Sequence, residues 1–125
     1  MQVEAGTVLG CWFPEEGLAP GPKFRPVVVL DVFTNQKTGV QELLVAYGSS
    51  QHTSLVYPWE FTVTLQDTVD WARFNKKHTR FNLKCIRALP FTEKYFGEKH
   101  IVGNVTSNKV LCSAFVKAAR EAEVI

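Results

Sequence analysis

The sequence contains little of what marks a secreted, membrane-spanning or metal-stapled protein. Its 125 residues include three cysteines, Cys11, Cys85 and Cys112, which are far apart and form no Cys-x-x-Cys pair. This number and spacing favour buried free thiols over a disulfide framework or a structural zinc site. No apolar run is long enough to cross a bilayer, and the first residues lack the basic and apolar regions of a secretion signal. We therefore expect one cytoplasmic domain, residues 1–125, with no metal, no cofactor and no membrane contact.

An excess of charge of one sign is also missing, since the net charge is only +2, but the charge is unevenly distributed. Residues 1–62 hold three Lys or Arg against six Asp or Glu, whereas residues 63–125 hold eleven against six. Between Trp71 and Phe91 cations are interleaved with aromatic rings, which suits single-stranded nucleic acid because phosphates pair with cations and bases stack on rings. The candidate RNA contacts in this window are Arg73, Lys76, Lys77, His78, Arg80 and Lys84. The alternative is a solvated face over a core, with Phe81 pointing inward and His78 simply exposed.

Apolar periodicity between turn signals predicts five short strands and two helices. The predicted strands cover residues 6–13, 25–33, 42–47, 60–65 and 80–89. The last of these is expected to present on one side Phe81, Leu83, Cys85 and Arg87. A short helix is predicted over residues 67–77, and a C-terminal amphipathic helix follows an N-cap at Thr106 or Ser107. Its apolar face comprises Val110, Leu111, Ala114, Phe115, Ala118 and Ala122. This order predicts a mainly β fold with helices, a small barrel closed by the C-terminal helix.

The most informative stretch of the chain is PGPKFRP, residues 20–26. Two prolines and a glycine make a stiff, exposed turn, and the apolar run that follows predicts a buried strand. Pro26 restricts Arg25 to extended backbone, so the guanidinium leaves this junction in a defined direction. A loop arginine on such a footing suits recognition of an oxyanion or a phosphate. The other interpretation is an ordinary surface arginine beside a proline turn.

The order of these motifs resembles the MazF/PemK family of toxin endoribonucleases. The resemblance begins with Gly6-Thr7-Val8 and Phe13-Pro14, and it continues with Arg25-Pro26 and the apolar strand behind them. The next strand ends, as in the family, in a hydroxyl-containing turn, residues 48–50. Farther on, residues 81–89 resemble the family's late strand, and residues 101–105 resemble its glycine-containing approach to the closing helix. The resemblance therefore extends over nearly the whole chain.

This resemblance implies an SH3-like barrel of the MazF/PemK/CcdB type, which forms a homodimer and cuts single-stranded RNA without a metal. The products would be a 2′,3′-cyclic phosphate and a 5′-hydroxyl. A cognate antitoxin would hold the activity off by filling the RNA groove.

The resemblance assigns two candidate site residues, and the residues around them supply the others. Arg25 stands at the family's catalytic arginine and Ser49 at its usual threonine, while His52 in the same loop is a candidate proton acceptor. The candidate RNA contacts near them are Lys23, Phe24, Ser50 and Gln51. For Ser49 the alternative is a turn-capping serine, and for His52 an exposed loop histidine.

One departure from the family concerns the acid that some members have on the late strand, in an Arg-x-Asp motif. Lys84-Cys85-Ile86 stands at that place, so a cation is retained and the acid is absent. Either another group takes the proton, or the domain binds RNA and cuts it slowly or not at all. Two alternatives therefore stay open beside the nuclease. One is a CcdB-like topoisomerase poison or interaction module on the same barrel, and the other is a regulator that binds RNA or DNA.

Overall fold

The computed structural model of the protein describes residues 3–49, 56–64 and 78–125. These residues form six strands, two α-helices and one 3₁₀ turn. In chain order they are β1 (Thr7–Trp12), β2 (Phe24–Thr34), β3 (Gln41–Ser49), β4 (Glu60–Thr64), β5 (His78–Pro90), α1 (Glu93–Phe96), β6 (Ile101–Asn104), the 3₁₀ turn (Val105–Ser107) and α2 (Lys109–Glu121). The five predicted strands are all present, whereas α1 and β6 were not predicted as elements. The helix predicted over residues 67–77 lies outside the described residues.

The six strands form one antiparallel sheet in the order β4-β5-β3-β2-β1-β6, which curls into a half-barrel. The fold is mainly β, as the sequence predicts. Register shifts interrupt three of the strand pairs, for example between Val29 and Asp31 where β2 pairs with β3. Such irregularities bend a strand and increase its twist, which explains the curl of the sheet. Among the described helices, neither has the length and apolar character that crossing a membrane requires.

Apolar side chains cover both faces of the sheet. Val27, Val28 and Val29 are fully buried in succession, which a strand permits only where both of its faces are covered. One layer joins the sheet to α2 and includes Val8, Val28, Phe61, Phe81, Leu83 and Phe115. The other joins the sheet to α1 and includes Leu9, Val27, Val29, Val45, Leu89 and Phe96. The candidate site described below lies at the margin of this second layer, which we call the α1 layer.

Helix α2 begins one or two residues later than the predicted caps imply. Its N-cap is Asn108, whose Oδ1 accepts hydrogen bonds from the N–H groups of Val110 and Leu111 at 2.9 and 3.1 Å. Thr106 and Ser107 instead belong to the preceding 3₁₀ turn. The predicted apolar face is correct except for Val110, which is 78% exposed. Leu111 belongs to the buried stripe of the helix. Val110 precedes it and is therefore rotated about 100° around the helix axis, which turns its side chain toward solvent.

Strand β5 departs from the predicted alternation in its second half. Phe81 and Leu83 face the α2 layer as predicted, but Cys85 and Arg87 do not follow them. Between the pairs Tyr47–Asn82 and Ala46–Ile86, residues 83–85 of β5 have no counterpart in β3. This bulge changes which residues point to which face. It also leaves Cys85 exposed. Cys112 is half-buried, so the prediction of buried thiols is correct for Cys11 alone among the three cysteines.

Candidate functional site

Arg25 is the second residue of β2, which agrees with a strand that starts at Arg25 and places the arginine within the strand and not in the loop before it. It pairs with Cys11 of β1, and Pro26 follows it inside the strand. Its guanidinium carbon lies 5.0 Å from the centre of the Tyr47 ring on β3, a cation–π contact. The Tyr47 ring in turn contacts Phe13, with 5.4 Å between the ring centres. Pairing with β1 therefore fixes the Arg25 backbone, and the Tyr47 ring on β3 restricts its guanidinium. An exposed turn would restrict the side chain less.

An open cleft of about 270 Å³ surrounds this arginine. The residues that line it are Phe13, Pro14, Glu15, Arg25, Tyr47, Cys85 and Arg87. Within residues 3–49, 56–64 and 78–125, neither Arg25 nor Arg87 forms an ion pair. Glu15 contributes the one carboxylate of the described lining, so the two guanidiniums leave the cleft with a net positive charge. Such a cleft favours an anionic group, and phosphate oxygens are good acceptors for guanidinium N–H groups.

The bulge in β5 explains why Arg87 reaches this cleft. Arg87 pairs with Val45, which belongs to the α1 layer, whereas Ile86 pairs with Ala46 and packs against the α2 layer. Position 86, where the family motif would place an acid, therefore faces away from the cleft. The cation of the late strand that lines the cleft is Arg87 and not Lys84.

Ser49 is the last residue of β3, and not part of a loop as predicted. The pairing of β2 with β3 begins at Val27 and Tyr47. Arg25 lies two residues before Val27, and Ser49 lies two residues after Tyr47. Both side chains therefore belong to the face that presents Tyr47. A Cβ built on Gly48 would lie 2.7 Å from the Pro26 carbonyl oxygen, so only glycine permits the close approach of the two strands here.

Arg80 and His78 continue the same face toward β4. Arg80 pairs in register with Ser49 and with Thr62, and its Nε lies 3.4 Å from the buried Glu60 carboxylate. His78 is half-buried and pairs in register with Thr64. The ion pair assigns Arg80 a structural contact in addition to its predicted contact with RNA.

Phe24 occupies a different environment from Arg25. Its ring packs 5.2 Å from that of Trp12, and a Cβ on Gly10 would overlap it, so the lack of a side chain at Gly10 makes room for the ring. Adjacent strand residues point to opposite faces, which separates Phe24 from the cleft. Lys23, just before the strand, is exposed. Lys84 is also exposed, and its Nζ lies 4.0 Å from the centre of the Trp59 ring.

Several predicted site residues lie outside the described part of the chain. These are Ser50, Gln51, His52, Arg73, Lys76 and Lys77. The structure therefore brings together Arg25, Ser49 and Arg80 on one face, and their roles in RNA binding or cleavage stay predictions.

The thiols beside and beneath the cleft differ in their surroundings. Burial raises the pKa of Cys11 from 9.0 to about 12. Burial also raises the pKa of Cys85, while the nearby positive charge of Arg87 lowers it. Across the described ranges, no group of three or more His, Cys, Asp or Glu side chains is placed to hold a metal ion.

Of the seven residues that line the cleft, sequence reasoning predicted Arg25 as a site residue and missed the other six, among them Glu15, Tyr47 and Arg87. Tyr47 was predicted only as the last residue of a strand. Arg87 counted toward the basic excess and was predicted to share one side of its strand with Phe81. A signal for Tyr47 exists, because an aromatic residue two positions before Ser49 shares the face of Ser49 in a strand. No comparable signal exists for Arg87, since its face depends on the bulge.

No protein-family model matches the chain, and no curated protein matches it. A function for this chain has to be argued from the cleft and from the order of its motifs.

Proposed function

We propose that this chain is a metal-independent, sequence-selective endoribonuclease that cuts single-stranded RNA and acts as the toxin of a toxin–antitoxin system. The observation that supports it most directly is the pair of arginines, Arg25 on β2 and Arg87 on β5, which line one open cleft from the two strands that flank the strand of Tyr47. Ser49 adds a hydroxyl to the same face. A phosphodiester is the ligand that best suits two guanidiniums, a hydroxyl and an aromatic surface.

The proposed reaction is an attack of the ribose 2′-oxygen on the adjacent phosphorus, followed by departure of the 5′-oxygen. The products are a 2′,3′-cyclic phosphate and a 5′-hydroxyl. Negative charge accumulates on the non-bridging oxygens as the fifth bond to phosphorus forms. Arg25 and Arg87 donate hydrogen bonds to these oxygens, and Ser49 donates a further one. Because the cleft fixes its donors before the reaction, they stabilise the transition state more than the ground state.

The reaction also needs a group that takes the 2′-hydroxyl proton. Glu15 supplies a carboxylate in the lining of the cleft. His52, which lies outside the described residues, is the acceptor that the sequence predicts. Comparing Glu15→Gln with His52→Gln distinguishes the two. Replacing the acting base slows cleavage and removes the ionisation of that base from the pH–rate profile, whereas replacing the other residue leaves the profile unchanged.

The wider assignment rests on the motif order. The curled sheet with α2 is consistent with a small barrel, and we propose that it is the SH3-like barrel of MazF/PemK toxins. A homodimer in the cytoplasm, held inactive by a cognate antitoxin whose chain occupies the cleft, completes this proposal. An acidic antitoxin segment would complement the two arginines by charge.

A second candidate is a non-catalytic toxin or a regulator that binds RNA or DNA on the same face. The observation that favours it is the side chain of Ile86, which packs away from the cleft and provides no acid. Two arginines suffice to bind a phosphate, whereas cleavage also requires a proton acceptor.

The experiment that separates the candidates is an incubation of the purified protein with a long single-stranded RNA in EDTA, followed by analysis of the product ends. The nuclease predicts discrete cuts with cyclic phosphate ends. These cuts should be lost in Arg25→Ala and retained in Lys37→Ala, a variant of an exposed lysine in the β2–β3 turn. Intact RNA that nevertheless binds the protein would support the non-catalytic candidate, and topoisomerase inhibition would identify the CcdB-like one.

A further inference from the structure

A tight turn before β4 fixes two aromatic residues in place. Tyr57, Pro58, Trp59 and Glu60 form this turn, in which the Glu60 N–H donates a hydrogen bond to the Tyr57 carbonyl at 2.9 Å. The Tyr57 N–H in turn donates to the Glu60 Oε1, also at 2.9 Å. Pro58 at the second position restricts the backbone further. The Leu83 N–H donates to the Trp59 carbonyl at 3.1 Å, which attaches the turn to β5.

The two rings of this turn form an ordered stack. The rings of Tyr57 and Trp59 are nearly parallel, at 3°, with 5.0 Å between their centres. Lys84 places its Nζ 4.0 Å from the centre of the Trp59 ring. Tyr57 is 57% exposed although its backbone is fixed, so the stack offers an aromatic surface to solvent. We call Tyr57, Trp59 and Lys84 the aromatic platform.

The platform is connected to the arginine cleft through the sheet. Asn82 pairs in register with Tyr47 on one side and with Glu60 on the other, so these three residues form one row on one face. Neighbouring strands are about 4.8 Å apart, which places Glu60 roughly 10 Å from the strand of Tyr47.

We propose that the aromatic platform stacks an unpaired nucleobase of the RNA whose phosphodiester lies in the Arg25–Arg87 cleft. A fixed, exposed ring beside a cation suits a nucleobase, because every base has a flat face that stacks on an aromatic ring. The phosphate attached to that base pairs with the Lys84 ammonium group. The proposal rests on the proposed function for the identity of the strand. It adds a second contact, which orients the strand across the sheet and contributes to the choice of the cut site.

The test is a binding measurement with two probes that cannot be cleaved. One is a mixed-sequence single-stranded 2′-deoxy oligonucleotide, and the other is an abasic oligonucleotide of the same length. Stacking predicts that Tyr57→Ala weakens binding of the base-bearing strand by roughly five- to a hundredfold. Binding of the abasic strand should change by less than about twofold, because no base is present to lose.

Three control variants accompany Tyr57→Ala. Tyr57→Phe keeps the ring and should bind both probes as the parent protein does. Phe33→Ala removes another exposed aromatic side chain, 42% exposed, at the far end of β2 and should also leave binding unchanged. Arg25→Ala removes a phosphate contact and should weaken both probes by similar factors. The melting temperature of each variant confirms that it is folded.

The outcomes separate this proposal from the proposed function. If the parent protein leaves RNA intact but Tyr57→Ala still weakens only the base-bearing strand, the nuclease is wrong and the platform stands. If RNA is cut but Tyr57→Ala binds both probes normally, or weakens both equally, the platform is wrong. A change in oligomeric state without a change in affinity for either probe would identify a protein contact and overturn the proposal.

Discussion

At the scale of single residues, Tyr47 connects the parts of the candidate site. It supports the Arg25 guanidinium at 5.0 Å, contacts Phe13, and begins the row that leads through Asn82 to Glu60. Arg25 is therefore positioned by a ring on the neighbouring strand as well as by Pro26. The ring restricts the guanidinium without neutralising it, which leaves its hydrogen-bond donors available to a phosphate.

Replacing Tyr47 tests this positioning. We expect Tyr47→Leu to reduce the single-turnover cleavage rate of single-stranded RNA by roughly three- to thirtyfold, through loss of the cation–π contact. Tyr47→Phe keeps the ring and should cleave at nearly the parent rate. If Tyr47→Leu cleaves as fast as Tyr47→Phe while both remain folded, the ring does not position Arg25.

The thiols provide a test of the electrostatics of the cleft. Alkylation requires the thiolate, so a raised pKa slows it at a given pH. In a Cys112→Ser background we expect iodoacetamide to modify Cys85 first, because Cys11 is buried and its pKa is about 12. Arg87 lowers the pKa of Cys85, so Arg87→Ala should raise that pKa and slow the modification at pH 8.5. Faster modification in Arg87→Ala would show that the arginine does not act on the thiol.

Residue patterns predicted part of the site. Arg25 and Ser49 could be predicted from their motifs, and the register of β2 and β3 places them on a common face. Arg87 could not be predicted, because strict alternation assigns it to the side of Phe81. Only the three-residue bulge of β5, which depends on pairing with β3, moves it to the cleft. Phe24 was predicted as an RNA contact, but its packing on Trp12 depends on a neighbouring strand that periodicity does not reveal.

At the scale of elements, the start of α2 shows how a local choice among polar residues is decided. Thr106, Ser107 and Asn108 are all good capping residues by type. The Asn104 side chain accepts a hydrogen bond from the Thr106 N–H and caps a 3₁₀ turn that contains Thr106 and Ser107. Asn108, which follows this turn, is therefore the N-cap of α2. A competing cap upstream is not visible from the preferences of single residues.

Asn108 should therefore contribute measurably to stability. We expect Asn108→Ala to lower the free energy of unfolding by about 1 kcal/mol, because two N–H groups of the first turn lose their acceptor. Urea denaturation measures the change, and Lys109→Ala, at the neighbouring exposed position, serves as the control. A loss in Lys109→Ala as large as that in Asn108→Ala would contradict the assignment of the cap.

At the scale of the whole molecule, the sheet is the frame on which the cleft and the platform are both mounted. The strands were predictable because β-branched runs and turn signals separate them clearly. Their order was not, since pairing β3 with β5 and β1 with β6 joins segments far apart in sequence. The period of two assigns residues to one face of a strand or the other, but it does not determine which strands are neighbours.

The buried ion pair between Glu60 and Arg80 joins the platform to this frame. Glu60 accepts the Tyr57 N–H and lies 3.4 Å from the Nε of Arg80, while its own side chain is only 2% exposed. We expect Glu60→Ala to lower the free energy of unfolding by about 3 kcal/mol, since it removes a buried carboxylate that pairs with the Arg80 guanidinium and accepts the Tyr57 N–H. Urea denaturation tests this, with the exposed Glu93→Ala as control, and equal stability of the two variants would contradict it.

The central claim is that the Arg25 guanidinium holds the scissile phosphate, and single-turnover cleavage of one single-stranded RNA in EDTA tests it most directly. Arg25→Ala should cleave at least a hundred- to a thousandfold more slowly than the parent protein, the usual effect of removing a preorganised donor. The exposed-lysine control Lys37→Ala should cleave at the parent rate. Cleavage by Arg25→Ala at the rate of Lys37→Ala, with the same cut sites and the same ends, would contradict the account.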